Sequence, residues 1–133
     1  MNELYQTQIL ALARAARQSF SVSAPTHTAK LKNPVCGDEV TLALQIKDDV
    51  IKEIGIDVQG CALCEAGAGL FAKLALSEHT ERLSTLHQEL SQFLTGDDEE
   101  ASLFEAFTPI KDVKNRHKCV MLAFTASTQL NPL

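Results

Sequence analysis

The sequence predicts an α+β protein, and two observations carry that prediction. Apolar and polar residues alternate from Val40 to Ile46 and again from Ile54 to Val58, which is the pattern of half-buried strands. After Gly60 the apolar residues recur at spacings of three and four, as they do along one face of a helix. An antiparallel pair of strands and several helices therefore share the chain.

The length and composition predict one globular domain over residues 1–133. A chain of this length buries roughly two thirds of the surface that it exposes when unfolded, so it can form a core without disulfides. With 45% hydrophobic and 22% charged residues, most of the chain is expected to fold. The net charge of −5 argues against a nucleic acid partner, whose phosphates attract clustered positive charge.

The sequence carries no signal for a membrane or for export. No apolar run approaches the roughly 20 residues that cross a bilayer, and the first residues lack the basic and apolar regions of a secretion signal. We therefore expect a cytoplasmic protein without a membrane partner. Its four cysteines would stay reduced there, where such residues are more often metal-binding or catalytic than disulfide-bonded.

The first 32 residues predict a helix followed by a loop. Apolar residues recur at helical spacing over residues 1–20, which predicts an amphipathic helix. Residues 21–32 are polar and include Pro25, so they predict a loop that leads into a turn at Asn33-Pro34.

A turn at Lys47-Asp48-Asp49 joins the two strands, and a helix is expected to begin at Cys61 and to run to Ser77. This helix contains the small residues Ala66-Gly67-Ala68-Gly69. Each glycine costs roughly 1 kcal/mol of helix stability relative to alanine, so a close backbone approach is the expected compensation. Three further helices are predicted: one that ends at Gly96, a short one stopped by Pro109, and a last one that opens at Cys119 and ends at Asn131-Pro132.

Three of the cysteines share one kind of position. Cys36, Cys61 and Cys119 each follow a loop or strand end and lead into a predicted helix. The start of a helix offers unpaired N–H groups and a partial positive charge, which favour a thiolate over a thiol. Arg116 and Lys118 would add to this effect at Cys119. Thiolates are the form of cysteine that binds metal or carries sulfur.

Asp38, two residues after Cys36, adds an oxygen ligand to these thiols. Together they would make a Cys₃Asp tetrahedron suited to zinc or to iron. The alternative is a set of separate buried thiols, because free cysteine is among the most buried residue types. Cys64 forms with Cys61 the C-x-x-C sequence of redox proteins. His117 is either a further ligand or a surface residue.

Three motifs in this order resemble those of a family of iron–sulfur cluster assembly scaffolds. They are N-P-x-C-G-D at residues 33–38, G-C before a run of small residues at 60–61, and R-x-K-C at 116–119. The sequence is similar to the NifU N-terminal domain family, which includes IscU and SufU. The resemblance covers residues 33–126 and implies the α+β, SufE/NifU-like (IscU-like) fold. In that fold a small antiparallel sheet packs against helices, and three cysteines and an aspartate meet at one exposed end.

The resemblance implies that Cys36, Asp38, Cys61 and Cys119 are the ligands of zinc or of a nascent iron–sulfur cluster. Of the family's members, the sequence looks more similar to the SufU type. The IscU type has a histidine directly before the last cysteine, whereas Lys118 holds that position here. By analogy with the SufU type Cys36 would accept persulfide sulfur, and by analogy with the IscU type Cys119 would accept it. Arg116 and Lys118 would support the cysteine that accepts the persulfide sulfur.

Two features differ from the family pattern. Ala66-Gly67-Ala68-Gly69 stands where the family usually alternates alanine and serine, and Cys64 is an additional cysteine. Cys64 is a further thiol ligand, a relay sulfur or a small buried residue. His117 could also substitute as a ligand.

The function that the resemblance implies is that of an assembly scaffold or of a persulfide acceptor. Its partners would be a cysteine desulfurase and the acceptor apoproteins, and the protein is expected to be a monomer or a weak homo-oligomer. Whether it is an enzyme, as a zinc-dependent sulfurtransferase, is left open. The alternatives are a zinc-stabilised binding module without transfer chemistry and a thiol redox protein that uses Cys61 and Cys64.

Overall fold

The computed structural model describes residues 3–18, 22–35, 37–96 and 102–133. Within these ranges the chain forms four α-helices, two 3₁₀ helices and four strands. The helices are α1 Glu3–Arg17, α2 Ala62–Ala75, α3 Arg82–Thr95 and α4 His117–Ser127, with 3₁₀ helices at Ser102–Ile110 and Lys114–Arg116. The strands are β1 His27–Lys32, β2 Glu39–Lys47, β3 Val50–Gln59 and β4 Asn131–Pro132. The predicted α+β class is confirmed.

The strands form one antiparallel sheet in the order β3-β2-β1-β4. A two-residue turn joins β2 to β3, and its residues Asp48 and Asp49 have φ angles of 54° and 62°. A positive φ at both central residues is what a type I′ turn requires, and its twist matches that of the two strands. Aspartate tolerates this left-handed conformation better than most residues do. The turn predicted at Lys47-Asp48-Asp49 is confirmed.

The loop predicted over residues 21–32 is wrong for its second half, where β1 lies. His27 pairs with Leu44 and Lys32 with Glu39, so β1 lies between β2 and β4. The sequence of β1 has no strong apolar alternation, because Ala29 is small and lysines surround Leu31. Its hydrogen bonds to β2 hold it in the sheet, and those bonds depend on a partner that local sequence does not specify.

The N-terminal helix predicted over residues 1–20 is observed as α1, from Glu3 to Arg17. Phe20, its last predicted apolar position, lies outside the described residues. Pro109 does not stop the short predicted helix but lies inside the 3₁₀ helix Ser102–Ile110. The fixed φ of proline, about −65°, is compatible with 3₁₀ geometry. The last helix ends at Ser127, so its predicted end at Asn131-Pro132 is wrong, and those two residues form β4 instead.

The helices α1, α2 and α4 cover one face of the sheet. Val40, Leu42 and Leu44 alternate along β2 and are fully buried on that face. Phe71 of α2 and Phe124 of α4 meet edge to face behind them, with ring centroids 5.4 Å apart. None of the helices in the described part of the chain is long and apolar enough to span a bilayer.

The close backbone approach predicted for α2 is confirmed at both glycines. A Cβ atom added at Gly67 would overlap the carbonyl group of Val120 in α4. A Cβ atom added at Gly69 would overlap the carbonyl group of Leu12 in α1. The missing side chains therefore let α2 pack directly against the backbones of two neighbouring helices.

Candidate metal centre

The candidate site lies at the end of the sheet where β1 and β3 end and β2 begins. Asp38 directly precedes β2, and Cys61 follows β3 as the N-cap residue of α2. Cys119 lies in the first turn of α4. The predicted start of α2 at Cys61 is thereby confirmed, and the last helix begins two residues earlier than predicted, at His117.

Asn33 organises the connection that leads from β1 to Asp38. Its backbone N–H donates a hydrogen bond to the carbonyl of Asp38 at 2.7 Å, and its carbonyl accepts one from the N–H of Gly37 at 2.7 Å. Its side-chain oxygen accepts a third from the N–H of Val35 at 3.1 Å. Gly37 has a φ of 79°, a conformation that residues with a side chain rarely adopt. These contacts fix Asp38 at the end of the sheet.

The structure brings Asp38, Cys61 and Cys119 together. One carboxylate oxygen and the two sulfur atoms all lie within 4.8 Å of one another. The thiol of Cys61 donates a hydrogen bond to Oδ2 of Asp38 at 3.7 Å. Asp38 is 7% exposed and Cys119 is 1% exposed, whereas Cys61 is half-buried. Cys36, the fourth predicted ligand, lies outside the described residues.

Gly60 provides the space for the Asp38 carboxylate. A Cβ atom added at Gly60 would lie 2.7 Å from both Cγ and Oδ1 of Asp38, which is closer than real Cβ contacts allow. In the sequence Gly60 is visible as part of the G-C motif, but its contact with Asp38 is not. The available signal was the position of the glycine between the end of β3 and Cys61, where a close approach is common.

Cys64 lies behind the three donors. It is 2% exposed. Burial raises the pKa of the Cys64 thiol, and the negative charge of Asp38 raises it further. This environment keeps Cys64 as a thiol. The surroundings differ from those of reactive cysteines, which are partly exposed and electropositive.

The positive groups predicted beside Cys119 occupy different environments. Arg116 is half-buried and Lys118 is exposed. Nε2 of His117 faces the carbonyl oxygens of Ile110 at 2.9 Å and Lys111 at 3.1 Å. Two carbonyl acceptors indicate that Nε2 carries a proton. His117 is not in the group of donors formed by Asp38, Cys61 and Cys119 in the described part of the chain.

The donor set fits the predicted metal. Two sulfur atoms and one carboxylate oxygen match three of the four ligands of a tetrahedral zinc site, and thiolates also bind iron. Both sulfur atoms lie at the start of a helix, α2 or α4, where the helix dipole favours negative charge. The Asp38, Cys61 and Cys119 group can therefore hold a metal ion.

An apolar groove of about 290 Å³ lies beside this group, between the end of β1 and α4. The residues that line it include Leu31, Lys32, Pro34, Lys118, Met121 and Leu122. Val35, next to Pro34, is 82% exposed. The site thus borders a surface that combines apolar side chains with two lysines.

Comparison with known proteins identifies the family of this chain. The family model described as the NifU-like N terminal domain matches residues 4–122. The iron-sulfur cluster assembly scaffold protein IscU of Thermotoga maritima is 29% identical over 124 residues, which cover 91% of this chain and 87% of that protein. The zinc-dependent sulfurtransferase SufU of Bacillus subtilis is 22% identical over 100 residues, which cover 72% of this chain and 68% of that protein.

The fold also matches a solved structure. The N-terminal part of a nitrogen-fixing NifU-like protein from Brucella abortus superimposes with a TM-score of 0.83 at 25% sequence identity. The match covers 94% of this chain and 90% of the Brucella chain. The family model covers most of the sequence, and the relatives carry both the IscU and the SufU name. This chain therefore belongs to the NifU-like N-terminal domain family, the family of the iron–sulfur cluster assembly scaffolds IscU and SufU.

Proposed function

We propose that this protein takes part in iron–sulfur cluster assembly, as a scaffold or as a persulfide acceptor beside a cysteine desulfurase. The observation that carries the proposal is the convergence of Asp38, Cys61 and Cys119 within 4.8 Å. These residues are far apart in sequence and meet only through the fold. Membership of the scaffold family supports the same function.

Zinc or a nascent cluster would be held by Cys36, Asp38, Cys61 and Cys119. Three of these residues form the group of donors described above, and Cys36 is added by the resemblance to the family. When bound, zinc would keep its cysteine ligands as thiolates and link the elements that carry them. A cluster would instead be cargo, and a carboxylate among sulfur ligands would make that cargo easier to hand on.

The sulfur-transfer step would be a thiol exchange. A thiolate of this protein attacks the outer sulfur of a persulfide on the desulfurase, the sulfur–sulfur bond there breaks, and a new one forms on this protein. The desulfurase cysteine leaves as a thiolate. One persulfide replaces another, so the step consumes no oxidant or reductant.

We propose Cys36 as the first acceptor and Cys119 as the alternative. The neighbours of Cys36 in sequence, Val35 and Gly37, are both exposed, which allows a partner to approach this connection. Cys119 is 1% exposed, so a partner would reach it less easily. Lys118 is exposed next to Cys119, where it would attract a negatively charged persulfide.

The groove beside the site would receive the desulfurase. Its apolar residues Met121 and Leu122 offer contact area, and Lys32 and Lys118 would attract an acidic surface. The protein as a whole carries a charge of −5, so this local positive charge would guide the orientation of the encounter.

The test is metal analysis followed by a sulfur-transfer assay on protein purified without oxygen. We expect one zinc per chain without colour for a sulfur acceptor, or iron with matching sulfide and visible absorption for a scaffold. Asp38→Ala should lower the metal content, whereas Asp57→Ala, which changes an exposed aspartate on β3, should not. After incubation with a cysteine desulfurase and cysteine, Cys36→Ser should fail to gain sulfur, as detected by mass spectrometry. Undiminished sulfur uptake in both Cys36→Ser and Cys119→Ser would refute the acceptor role.

A zinc-stabilised binding module without transfer chemistry is the second candidate. The burial of Asp38 and Cys119 favours it, because protected ligands exchange slowly. Under this function the metal-bound protein would resist a mild alkylating reagent and would not stimulate a desulfurase. A redox function for Cys61 and Cys64 has less support, since burial raises the pKa of the Cys64 thiol.

A further inference from the structure

The edge of β1 that faces away from β2 is only partly paired. β1 has six residues, His27–Lys32, whereas β4 pairs with His27 and Thr28 alone. Among the residues that the structure describes, no other strand pairs with β1 on this side. An unpaired edge offers backbone donors and acceptors to a strand of another chain. The proposed function uses the groove beside this edge but not the edge itself.

One hydrogen bond shows which backbone groups face the open edge. The N–H of Asn33 donates to the carbonyl of Asp38 at 2.7 Å, so Asn33 faces β2. This pair continues the register of β1 and β2, in which Lys32 lies opposite Glu39. Successive residues of an antiparallel strand face its two neighbours in turn. The N–H and C=O groups of Lys30 and Lys32 therefore point away from β2, toward the open edge.

The open edge borders the apolar groove beside the candidate metal centre. Leu31 lines this groove together with Met121 and Leu122 of α4, and Lys32 lies at its border. Side chains alternate between the two faces of a strand, so those of Lys30 and Lys32 lie on the face opposite to that of Leu31. A strand added beside β1 would thus place every second side chain over the groove and the others next to the two lysines.

The lysines determine which kind of strand fits. The side chain of Lys30 is 66% exposed, and its Nζ lies 3.5 Å from Oε1 of Glu39, an ion pair too exposed to hold it firmly. Opposite charges on facing residues stabilise two paired strands, and like charges destabilise them. A second copy of β1 would place lysine opposite lysine. A strand with acidic residues opposite Lys30 and Lys32 and an apolar residue opposite Leu31 matches both the edge and the groove.

We propose that β1 accepts an extended segment of a partner protein as an additional strand, and that acidic and apolar residues alternate in this segment. The segment runs antiparallel to β1, as β2 and β4 do. Its acidic residues lie opposite Lys30 and Lys32 and exchange backbone hydrogen bonds with them, and the apolar residue between them enters the groove. This inference deepens the docking proposed for the groove and rests on it.

The test is amide hydrogen exchange, measured by NMR, with a synthetic peptide of the sequence glutamate-valine-glutamate-valine-glutamate with blocked ends. Without peptide, the amides of Lys30 and Lys32 should exchange faster than those of Ala29 and Leu31, which face β2. Peptide at a free concentration of about ten times its Kd should slow exchange at Lys30 and Lys32 about 10-fold, because the edge is then free in about a tenth of the molecules. Exchange at Ala29 and Leu31 should change much less.

Two N-methylated peptides separate strand pairing from contact in the groove alone. In the proposed arrangement the N–H of the central glutamate faces β1, and the N–H of each valine faces away. A methyl group on the central glutamate nitrogen should weaken binding about 10-fold, since it removes a hydrogen bond and blocks the approach of the strands. The same group on one valine nitrogen should weaken binding less than about twofold. A peptide with lysine in place of glutamate is the control for charge and should also bind more weakly.

Lys30→Pro and Lys30→Ala form a matched pair in the protein. Both remove the charge, but only proline removes the N–H that faces the edge. Proline is tolerated in an edge strand where its nitrogen faces solvent. We expect Lys30→Pro to bind the peptide about 3-fold more weakly than Lys30→Ala does, the loss that one net hydrogen bond produces. If Lys30→Pro fails to fold, the methylated peptides still test the pairing on the unchanged protein.

Three outcomes would overturn the inference. Peptide binding with unchanged exchange at Lys30 and Lys32 would mean that the peptide occupies the groove without joining the sheet. Equal weakening by the two methyl groups would mean the same. Absence of binding at millimolar peptide would mean that the lysines protect the edge. Each of these results leaves sulfur transfer from a desulfurase unaffected, whereas loss of that transfer with peptide binding intact would count against the proposed function, so the two failures are distinguishable.

Discussion

At the scale of the residue, the candidate site depends on a glycine, which has no side chain, as much as on its ligands. Gly60 leaves room for the Asp38 carboxylate, and a methyl group there would lie 2.7 Å from Cγ and Oδ1. We predict that Gly60→Ala displaces Asp38 and lowers zinc affinity about 10-fold, measured by competition titration.

The control for this prediction is Gln59→Ala. Gln59 is the preceding residue in the chain, and its side chain is exposed. This variant should bind zinc as the unchanged protein does. Zinc affinity in Gly60→Ala equal to that of Gln59→Ala would show that the carboxylate tolerates the methyl group.

His117 carries a second prediction at this scale. Its Nε2 donates to the carbonyl groups of Ile110 and Lys111 and so ties the preceding segment to the start of α4. We expect His117→Ala to lower the free energy of unfolding by about 1 kcal/mol, the usual net contribution of such hydrogen bonds. Zinc content should stay unchanged, because His117 is not in the group of donors formed by Asp38, Cys61 and Cys119 in the described part of the chain. His79→Ala, an exposed histidine, is the control, and a lowered zinc content in His117→Ala alone would identify His117 as a ligand.

Sequence patterns could predict the site residues but not the neighbouring residues that hold them in place. The position of Cys61 and Cys119 at helix starts followed from local spacing, and the structure places both there. The helix expected after Cys36 is wrong, because the next element of the chain is strand β2. The contact of Gly60 with Asp38 could not be predicted, because it joins residues from separate parts of the fold. The hydrogen bonds that Asn33 makes within the β1–β2 connection could not be predicted either. The sequence indicates only that Asn33 tends to form turns.

At the scale of the element, α2 and α4 are held together by backbone contact at Gly67. We predict that Gly67→Ala lowers the free energy of unfolding by about 1–3 kcal/mol, although alanine favours helix formation. The reason is that a methyl group would overlap the carbonyl of Val120, and such overpacking outweighs the gain of about 1 kcal/mol in helix propensity. Chemical denaturation of the metal-free protein measures the change.

The matched control for Gly67→Ala is Lys73→Ala, an exposed position on the same helix. That variant should change the free energy of unfolding by less than about 0.5 kcal/mol. A stabilised Gly67→Ala would mean that the helices can move apart without cost.

The patterns that identified elements correctly were those that act over short stretches of chain. The β2–β3 hairpin has alternating residues and a turn with the required φ angles, and the small residues of α2 indicated close packing. β1 was missed because its residues alone do not favour a strand over a loop. β4 has two residues and exists through its pairing with His27 and Thr28, which no local pattern specifies.

At the scale of the whole molecule, the donors link parts of the chain that are far apart. Asp38 directly precedes β2, Cys61 is the N-cap residue of α2, and Cys119 lies in α4. A metal ion bound by the folded protein and not by the unfolded chain stabilises the fold by mass action, about 2.7 kcal/mol at a free concentration 100 times Kd. We therefore expect zinc to raise the unfolding temperature and a chelator to lower it, as measured by calorimetry.

Asp38→Ala tests whether this stabilisation comes from the site. Its unfolding temperature should respond less to zinc than that of the unchanged protein at the same concentration. Asp57→Ala, with its exposed carboxylate removed, should respond as the unchanged protein does. An equal response to zinc in the two variants would place the bound zinc elsewhere on the molecule.

The contact between Gly67 and Val120 also bears on what the site can accommodate. Val120 is the neighbour of Cys119, and the contact with α2 is one of backbone on backbone, which cannot be compressed. The distance between α2 and α4, the two helices that carry Cys61 and Cys119 at their starts, is therefore fixed at this contact. A single ion and a two-iron cluster differ in size. Because the distance between α2 and α4 is fixed, the ligand side chains would have to rotate to fit one or the other. Of the two sulfur atoms in the group of donors, that of half-buried Cys61 is less enclosed than that of buried Cys119, so Cys61 is the ligand that we expect to rotate.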